Sequence, residues 1–366
     1  SSNARREDQF GSPLAECPSR NTFARYPTAR CLVHLWTGSY RRAPSTLRYR
    51  PKGIKRYRNR RSRESRCFHH RLRYGCARRG MPVFAGCLTQ EGADALGAAA
   101  DVLPGSIDTI IVNVASDASV AAAAKYLDEA TKKYGGLHAI VNNAGIVGAT
   151  FFDDLLNVEQ YRQVVDVNTF GVIRVTQALK HLVKRTRGRI VTVSSAAARL
   201  GVIGMGPYTV SKFAVSGYCE VIRQELRYFG VSVHILEPGI FKTPMSAECN
   251  IKSRLDKMWS DAPTSTKNEY GECFFRRCRA QLSKSMGIYS SSRVDIVVDA
   301  YFHAITAKFP NLRYQLGLDC QFVMLPMSYL PTGLRDALFT VGEWLFKMPV
   351  PQCALQPSLG LEMVKI

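Results

Sequence analysis

The chain has 366 residues, 46% of them hydrophobic, which suffices for one large α/β domain or two small ones; no apolar run reaches the length of a membrane-spanning helix. Its formal charge of +21 is uneven: residues 1–80 hold 21 Lys+Arg against only Glu7, Asp8, Glu16 and Glu64, so the basicity belongs to that segment and says little about the globular part. The eleven cysteines are scattered and odd in number, which fits a reducing compartment better than a disulfide framework, and the group Cys67, His69, His70 and Cys76 matches no zinc spacing.

Residues 1–79 show no hydrophobic period and are dominated by Arg, Ser, Pro and Gly, a composition that predicts disorder because too few apolar residues offset the ordering entropy. From residue 80 onward strands alternate with helices. Strands are predicted at 82–87, 107–114, 137–142, 189–193 and 231–236, and helices at 119–134, 157–183, 207–228 and 295–307. Apolar strands separated by helices of this length mean an α/β fold with a parallel sheet covered on both faces. Residues 241–292 are polar and aromatic by turns and read as a lid over a substrate site. The apolar tail, 326–366, overlaps a stretch rich in Met, Leu, Phe and Pro over 322–345; two roles suit it, capping the core or lying on a membrane surface, and its thin charged face favours the core. The chain begins with Ser1 and not Met, so the true N-terminus is expected to lie upstream of it, and any signal or anchor there would not be visible.

The chemistry concentrates in Tyr208 and Lys212, four apart on a predicted helix and therefore on one face. An ammonium beside a phenol favours the phenolate, so Lys212 is expected to bring the tyrosine pKa down towards the working pH. Ser195, at the end of the strand ending at Val193, is placed to hold a substrate oxygen near that phenol. Such a set moves a proton on or off an alcohol while another group takes the hydride. Taken singly, each residue also has an ordinary role: a surface helix pair, a capping serine, turn asparagines at 142 and 143. Asn168 in mid-helix is unfavourable by propensity, which points to a purpose.

In chain order, Asn142-Asn143-Ala144-Gly145, Asp166-Val167-Asn168-Thr169, Ser194-Ser195, Tyr208-x-x-x-Lys212 and Pro238-Gly239 before Thr243 together resemble the short-chain dehydrogenase/reductase family. Two further runs, 237–243 and 313–319 continuing to 325–331, resemble the branch of the retinol dehydrogenases and 17-beta-hydroxysteroid dehydrogenase type 6, near the 3-hydroxybutyrate dehydrogenases. The resemblance spans about residues 80–338. It implies a Rossmann-type doubly wound sheet over about 80–325 and an NAD(P)-dependent oxidoreductase that interconverts an apolar alcohol, retinoid- or steroid-like, with its carbonyl. By the same resemblance Tyr208 is the acid/base, and Lys212 tunes it and holds the nicotinamide ribose. Ser195 positions the substrate oxygen, while Asn168 keeps a helix bend and a proton-relaying water. Asn142, Ala144 and Gly145 support the cofactor, Pro238 and Gly239 bring backbone to the nicotinamide, and Thr243 bonds its carboxamide. Asn113 stands where the family has an aspartate near the adenine. A homodimer, membrane surface contact and residence at the endoplasmic reticulum membrane are also implied, with mitochondrial or cytoplasmic residence as alternatives.

Two departures qualify this. After the 82–87 strand, Gly86-Cys87-Leu88-Thr89 offers neither an acid for a ribose diol nor an arginine for a 2′-phosphate; the lack of a basic residue favours NAD over NADP. More serious, residues 1–80 contain no Thr-Gly-x-x-x-Gly-x-Gly, so the first strand and its glycine-rich turn are missing or replaced. Reading codons for residues 67–75 one base forward permits Ala-Phe-Ile-Thr-Gly-Cys-Asp-Thr-Gly, so the basic segment reads as either disordered or translated out of frame. Poor dinucleotide binding is therefore expected. Other functions remain open at this point: an inactive family member serving as a scaffold, or an arginine-rich arm binding nucleic acid, the latter disfavoured.

Overall fold

The computed structural model describes residues 35–36, 76–77, 80–98 and 105–353. A seven-stranded sheet runs through it in the order β3-β2-β1-β4-β5-β6-β7. The strands are β1 (Leu35–Trp36), β2 (Val83–Cys87), β3 (Ile107–Ile111), β4 (Ala139–Asn142), β5 (Arg189–Val193), β6 (Ser232–Pro238) and β7 (Arg313–Leu316). All pairs are parallel except those of β1, which runs antiparallel between β2 and β4. The predicted doubly wound α/β architecture is therefore present. Residues 82–87 and 189–193 are strands as expected, and the expected strand at 107–114 stops at Ile111.

The centre of the sheet differs from the expectation of disorder for residues 1–79. Leu35 registers with Phe84, and Trp36 registers with both Val83 and Ala139. Cys76 and Ala77 are buried and helical. These four residues are placed; the remainder of the basic segment lies outside the described residues, and so do Cys67, His69 and His70.

Side-chain caps set the helix starts. Thr89 accepts from Gly92 N ahead of α1 (Gln90–Gly97), Ser116 accepts from Ser119 N ahead of α2 (Asp117–Ala130), and Asn157 and Gln160 form a reciprocal capping box at α3 (Val158–Val165). The single helix expected over 157–183 is interrupted. A π-helical turn, Asp166–Phe170, separates α3 from α4 (Gly171–Thr186) and turns Asn168 into the interior. The next long helix, α5 (Gly206–Leu226), has Pro207 in its first turn, where the missing N–H has no intrahelical partner to lose.

The lid region is more regular than its mixed composition suggests. It forms α6 (Glu248–Asp261), α7 (Thr264–Tyr270) and α8 (Glu272–Tyr289). These helices share a core of their own around Phe151, Leu255, Met258, Trp259 and Phe274, separate from the main one. Trp259 stacks on Phe275 at 4.5 Å, and the Tyr270 hydroxyl donates to Asp154 at 2.6 Å, so this body is anchored on the loop after β4.

After α9 (Asp295–Thr306) and β7, a short π-turn leads into α10 (Leu325–Ser328) and α11 (Thr332–Leu345). Core packing was expected of this tail, and the structure overturns it: α11 buries no residue. Leu334, Leu338, Val341 and Leu345 recur at helical spacing along one stripe that stays about half exposed, and Trp344 is 77% exposed. The tail is instead tied to the lid: Gln281 Nε2 donates to Phe346 O, and Gln352 N donates to Tyr270 O.

At the amino edge of the sheet two histidines are held neutral. His138 Nε2 donates to Ile305 O, and His234 Nδ1 donates to Asn311 O while its Nε2 accepts from Ser232. Burial lowers both pKa values to about 4, the carbonyl partners opposing it and Arg189 adding to it. A depressed histidine pKa means the fold prefers the neutral ring. Its contribution is therefore complete above pH about 6.5 and lost as pH falls towards 4, on the order of 1–2 kcal/mol per ring. Urea midpoints at pH 7 and pH 4.5 are expected to differ more for the parent chain than for His138→Gln/His234→Gln; equal differences would show that these rings do not carry the acid sensitivity.

Candidate active site

Because β2 to β7 apart from β1 are parallel, their carboxyl ends lie along one edge, and the residues singled out in the sequence gather there. Asn113 follows β3, Asn142 ends β4, Ser195 follows β5 and Pro238 ends β6. Gly206 and Pro207 bring α5 in so that Tyr208 and Lys212 meet Ser195 over this edge.

Asn168 organises the cluster. Its Oδ1 accepts from Ile146 N at 2.8 Å, its Nδ2 donates to Ile146 O at 2.8 Å and to Ser211 Oγ at 2.9 Å, and Ser211 Oγ donates in turn to Tyr208 O at 2.7 Å. The Ile146 peptide therefore has a side-chain partner on both its polar groups, and the tyrosine-bearing turn is linked to it. Asn142 Nδ2 donates to Thr176 and Thr192, which fixes the end of β4 against α4 and β5. Beside it, the Tyr301 hydroxyl donates to Asn143 Oδ1.

Lys212 is buried, and its Nζ donates to Val193 O at 3.0 Å while lying 5.5 Å from the centre of the Tyr208 ring. Burial lowers its pKa to about 8, with a small opposing contribution from Cys219. Burial raises the Tyr208 phenol pKa, and the neighbouring Ser195 hydroxyl pulls it back only in part. The expectation that Lys212 draws the phenol pKa down is thus not met in this state. Burial dominates, the ammonium is engaged by a strand carbonyl, and the phenol is the protonated, acid form. Ser195 also caps the short turn Ala196–Ala198, accepting from Ala197 N at 3.2 Å, so its capping and its site role coexist.

Gly145 lies close to the cluster: a Cβ there would sit 3.2 Å from Asn168 Oδ1, tight enough to push on it, and 3.5 Å from Lys212 Nζ, an ordinary contact. Ala144 lines a small cleft with Val114, Val167 and Gly171. At the other end, Gly239 N donates to Leu316 O and Ile240 N donates to Asp319 Oδ2 at 2.6 Å. A Cβ on Gly239 would come within 2.2 Å of that same carboxylate, so a side chain there would push Asp319 off Ile240 N. Thr243 N donates to Ser246 Oγ, and its hydroxyl is 3.4 Å from the same atom. Asn113 is exposed; its Oδ1 accepts from Ala115 N, which leaves its amide nitrogen outward. Among the described residues no cluster of His, Cys, Asp and Glu could hold a metal.

Sequence reasoning missed several supports. Ser211 lies inside the Tyr208–Lys212 run, yet nothing in its type marks it. Glu237, quoted only as part of a motif, is a fully buried carboxylate, and a charge ending the apolar strand 233–236 was the available signal.

The sequence pattern of the short chain dehydrogenase family matches residues 70–254. The chain belongs to the short-chain dehydrogenase family. It is 36% identical over 262 residues to bovine (Bos taurus) 17-beta-hydroxysteroid dehydrogenase type 6, covering 72% of this chain and 81% of that one. It is 37% identical over 278 residues to retinol dehydrogenase 16 of Rattus norvegicus, covering 76% and 84%. The crystal structure of a short-chain dehydrogenase from Streptomyces avermitilis superposes with a TM-score of 0.56 at 21% identity, covering 77% of this chain and 93% of that one, which supports the fold. This short-chain dehydrogenase is accordingly an oxidoreductase acting between alcohol and carbonyl, in a family that uses NAD(P).

The residues present fit that cofactor unequally. At the nicotinamide end they fit: the Lys212 Nζ lies beside both Gly145 and the Tyr208 ring, where it could hold a ribose hydroxyl. At the pyrophosphate end they do not. No glycine-rich turn precedes β2 in the sequence, and β1, being antiparallel, runs away from the carboxyl edge where such a turn must emerge. Saturating NAD and nicotinamide mononucleotide are therefore expected to raise the melting temperature by similar, small amounts. A distinctly larger shift with NAD, read by calorimetry, would mean that the pyrophosphate is held after all.

Proposed function

We propose that this short-chain dehydrogenase interconverts an apolar, steroid- or retinoid-like alcohol and its carbonyl with Tyr208 as the acid/base. The observation that carries the reading is the convergence of Tyr208, Ser195 and Lys212 at one sheet edge, with Lys212 buried beside the Tyr208 ring and bonded to Val193 O, and the Ser195 hydroxyl acting on the phenol. The nicotinamide, when bound, takes or gives the hydride. In the reducing direction Tyr208, protonated as described above, gives its proton to the developing alkoxide, and Ser195 holds that oxygen in place. In the oxidising direction the phenolate must form, and a charged Lys212 favours it. Asn168 holds the turn on which Tyr208 sits, and Thr243, Pro238 and Gly239 face the carboxamide side of the nicotinamide. Asn142, Ala144 and Gly145 support the cofactor side of β4, and Asn113 presents its amide nitrogen at the adenine end.

The substrate class is supported by the relatives, named for hydroxysteroid and retinol oxidation, and by the aromatic lid over the loop after β4. NAD is favoured over NADP: Thr89 spends its hydroxyl on the α1 cap, and the sequence Gly86-Cys87-Leu88-Thr89 at the end of β2 carries no basic residue for a 2′-phosphate. Tyr208→Phe is expected to lower turnover of all-trans-retinol or 17β-oestradiol with NAD by about 10²–10⁴-fold while leaving the melting temperature within a few degrees. Retention of parental turnover would remove Tyr208 from the chemistry.

No helix among the described residues is long and apolar enough to cross a membrane. The half-exposed stripe of α11, tied to the lid, suits contact with a lipid surface through which an apolar alcohol would arrive. Phosphatidylcholine vesicles should sediment the parent chain and retain less of Leu338→Glu/Trp344→Glu. Equal retention would place the contact elsewhere.

A further inference from the structure

Glu237 is the most deeply buried carboxylate of the described residues, with no exposed surface. Arg199 grips it with two bonds, Nε to Oε1 at 2.9 Å and Nη2 to Oε2 at 3.2 Å. Arg313 Nη1 donates to Oε1, and Gln315 Nε2 donates to Oε2 at 3.2 Å. The other arm of Arg313 pairs with Glu220. Two acids and two arginines thus balance to neutrality, and the main-chain oxygen of Glu237 accepts from Cys320 Sγ as well.

Each partner comes from an element that carries part of the active site. Arg199 directly follows the turn Ala196–Ala198 that Ser195 caps. Glu220 sits on α5, two turns beyond Lys212. Glu237 immediately precedes Pro238 and Gly239, and Ser195 Oγ is 3.5 Å from Pro238 O. Arg313 and Gln315 belong to β7, whose Leu316 O receives Gly239 N. Well-packed apolar residues would stabilise such a place as well as a buried ion cluster does. What apolar packing lacks is direction: a bidentate arginine–carboxylate bond fixes distance and angle together.

We propose that Glu237 is a positioning residue, whose bidentate bond to Arg199 sets the Ser195 hydroxyl between the Tyr208 phenol and the Pro238–Gly239 turn. It touches no substrate and acts through Ser195. The proposal rests on the reading of Ser195 and Tyr208 given above.

The test compares the full-length parent chain with Glu237→Gln and with the apolar pair Glu237→Met/Arg199→Met, which leaves Arg313 paired with Glu220. The pair is expected to melt within a few degrees of the parent, since no uncompensated charge remains. Its kcat for 17β-oestradiol or all-trans-retinol with NAD should nevertheless fall about tenfold or more, with KM for NAD little changed. A second readout needs no turnover. Ionisation of Tyr208, followed at 295 nm as the difference from the same chain carrying Tyr208→Phe, should move to higher pH in the pair, because the Ser195 bond that favours phenolate is loosened. Ser195→Ala in the parent background separates the two ideas. If it alters neither turnover nor the Tyr208 titration, the reading of Ser195 fails. If it alters the titration while the apolar pair keeps both parental kcat and parental titration, the cluster is only structural and the proposal is overturned. Should the parent chain turn over neither substrate, the titration decides alone.

Discussion

The carboxamide of Asn168 is the contact on which the site depends. It satisfies both polar groups of the Ile146 peptide and reaches Ser211, so one side chain joins the loop after β4 to the helix that carries Tyr208 and Lys212. It does so only because the helix opens into a π-turn at Asp166–Phe170, which turns an unfavourable mid-helix asparagine towards the interior. Gly145 completes the arrangement: a Cβ at that position would press on the Asn168 carboxamide, which would have to give by a few tenths of an ångström. A π-turn, a glycine and an asparagine are one device seen from three places in the chain.

That device holds groups the fold would otherwise exclude. A lysine buried to this degree is charged less readily than in water, its pKa lowered to about 8, so the charged form that predominates at neutral pH is held at a cost in stability. Its bond to Val193 O offsets part of that cost and parks the ammonium under the ring of Tyr208. Ser194, the neighbour of Ser195, is spent on Lys212 O and Ser216, which locks the helix backbone to the end of β5. Local conflict of this kind is where a functional site is expected to lie, because the surrounding packing must over-determine groups that each would rather be in water.

Much of this was legible in the chain. The strands at 189–193 and 83–87 and the long helix over Tyr208 follow from hydrophobic period, because each buries one continuous apolar set. Tyr208, Lys212 and Ser195 were findable from their spacing and the ordered motifs around them, and Asn168 because an asparagine in mid-helix is unfavourable. The π-turn was not, because apolar spacing continues across it and a one-residue bulge leaves little mark on period. The regularity of the lid was hidden for a different reason: its helices bury their faces against one another and Phe151, so their pattern answers to a small second core. The tail misled because apolar content alone does not say which surface covers it. For the charge cluster, a lone acid at a strand end gave the hint, but Arg199 and Arg313 lie 38 and 76 residues away and only the topology brings them in.

The two halves of the site stand on different footings. The proton-handling side is built from β4 to β7 with α4 and α5. There β5 and β6 pair over five residues, and the interior is closed by Asn168, Ser194 and the Glu237 cluster. The side that should carry the phosphates depends on the centre of the sheet, where β1 contributes two residues in the opposite direction and registers with the amino ends of β2 and β4. None of the bonds that place Tyr208, Lys212 or Ser195 passes through β1. The bonds that hold Tyr208, Lys212 and Ser195 among the described residues come from β4 to β7, α4 and α5, while the glycine-rich turn that would hold a dinucleotide belongs to the front of the chain. A chain of this design keeps the orientation of its acid, its lysine and its serine even where the grip on its cofactor is weak, because separate parts of the sheet supply the two.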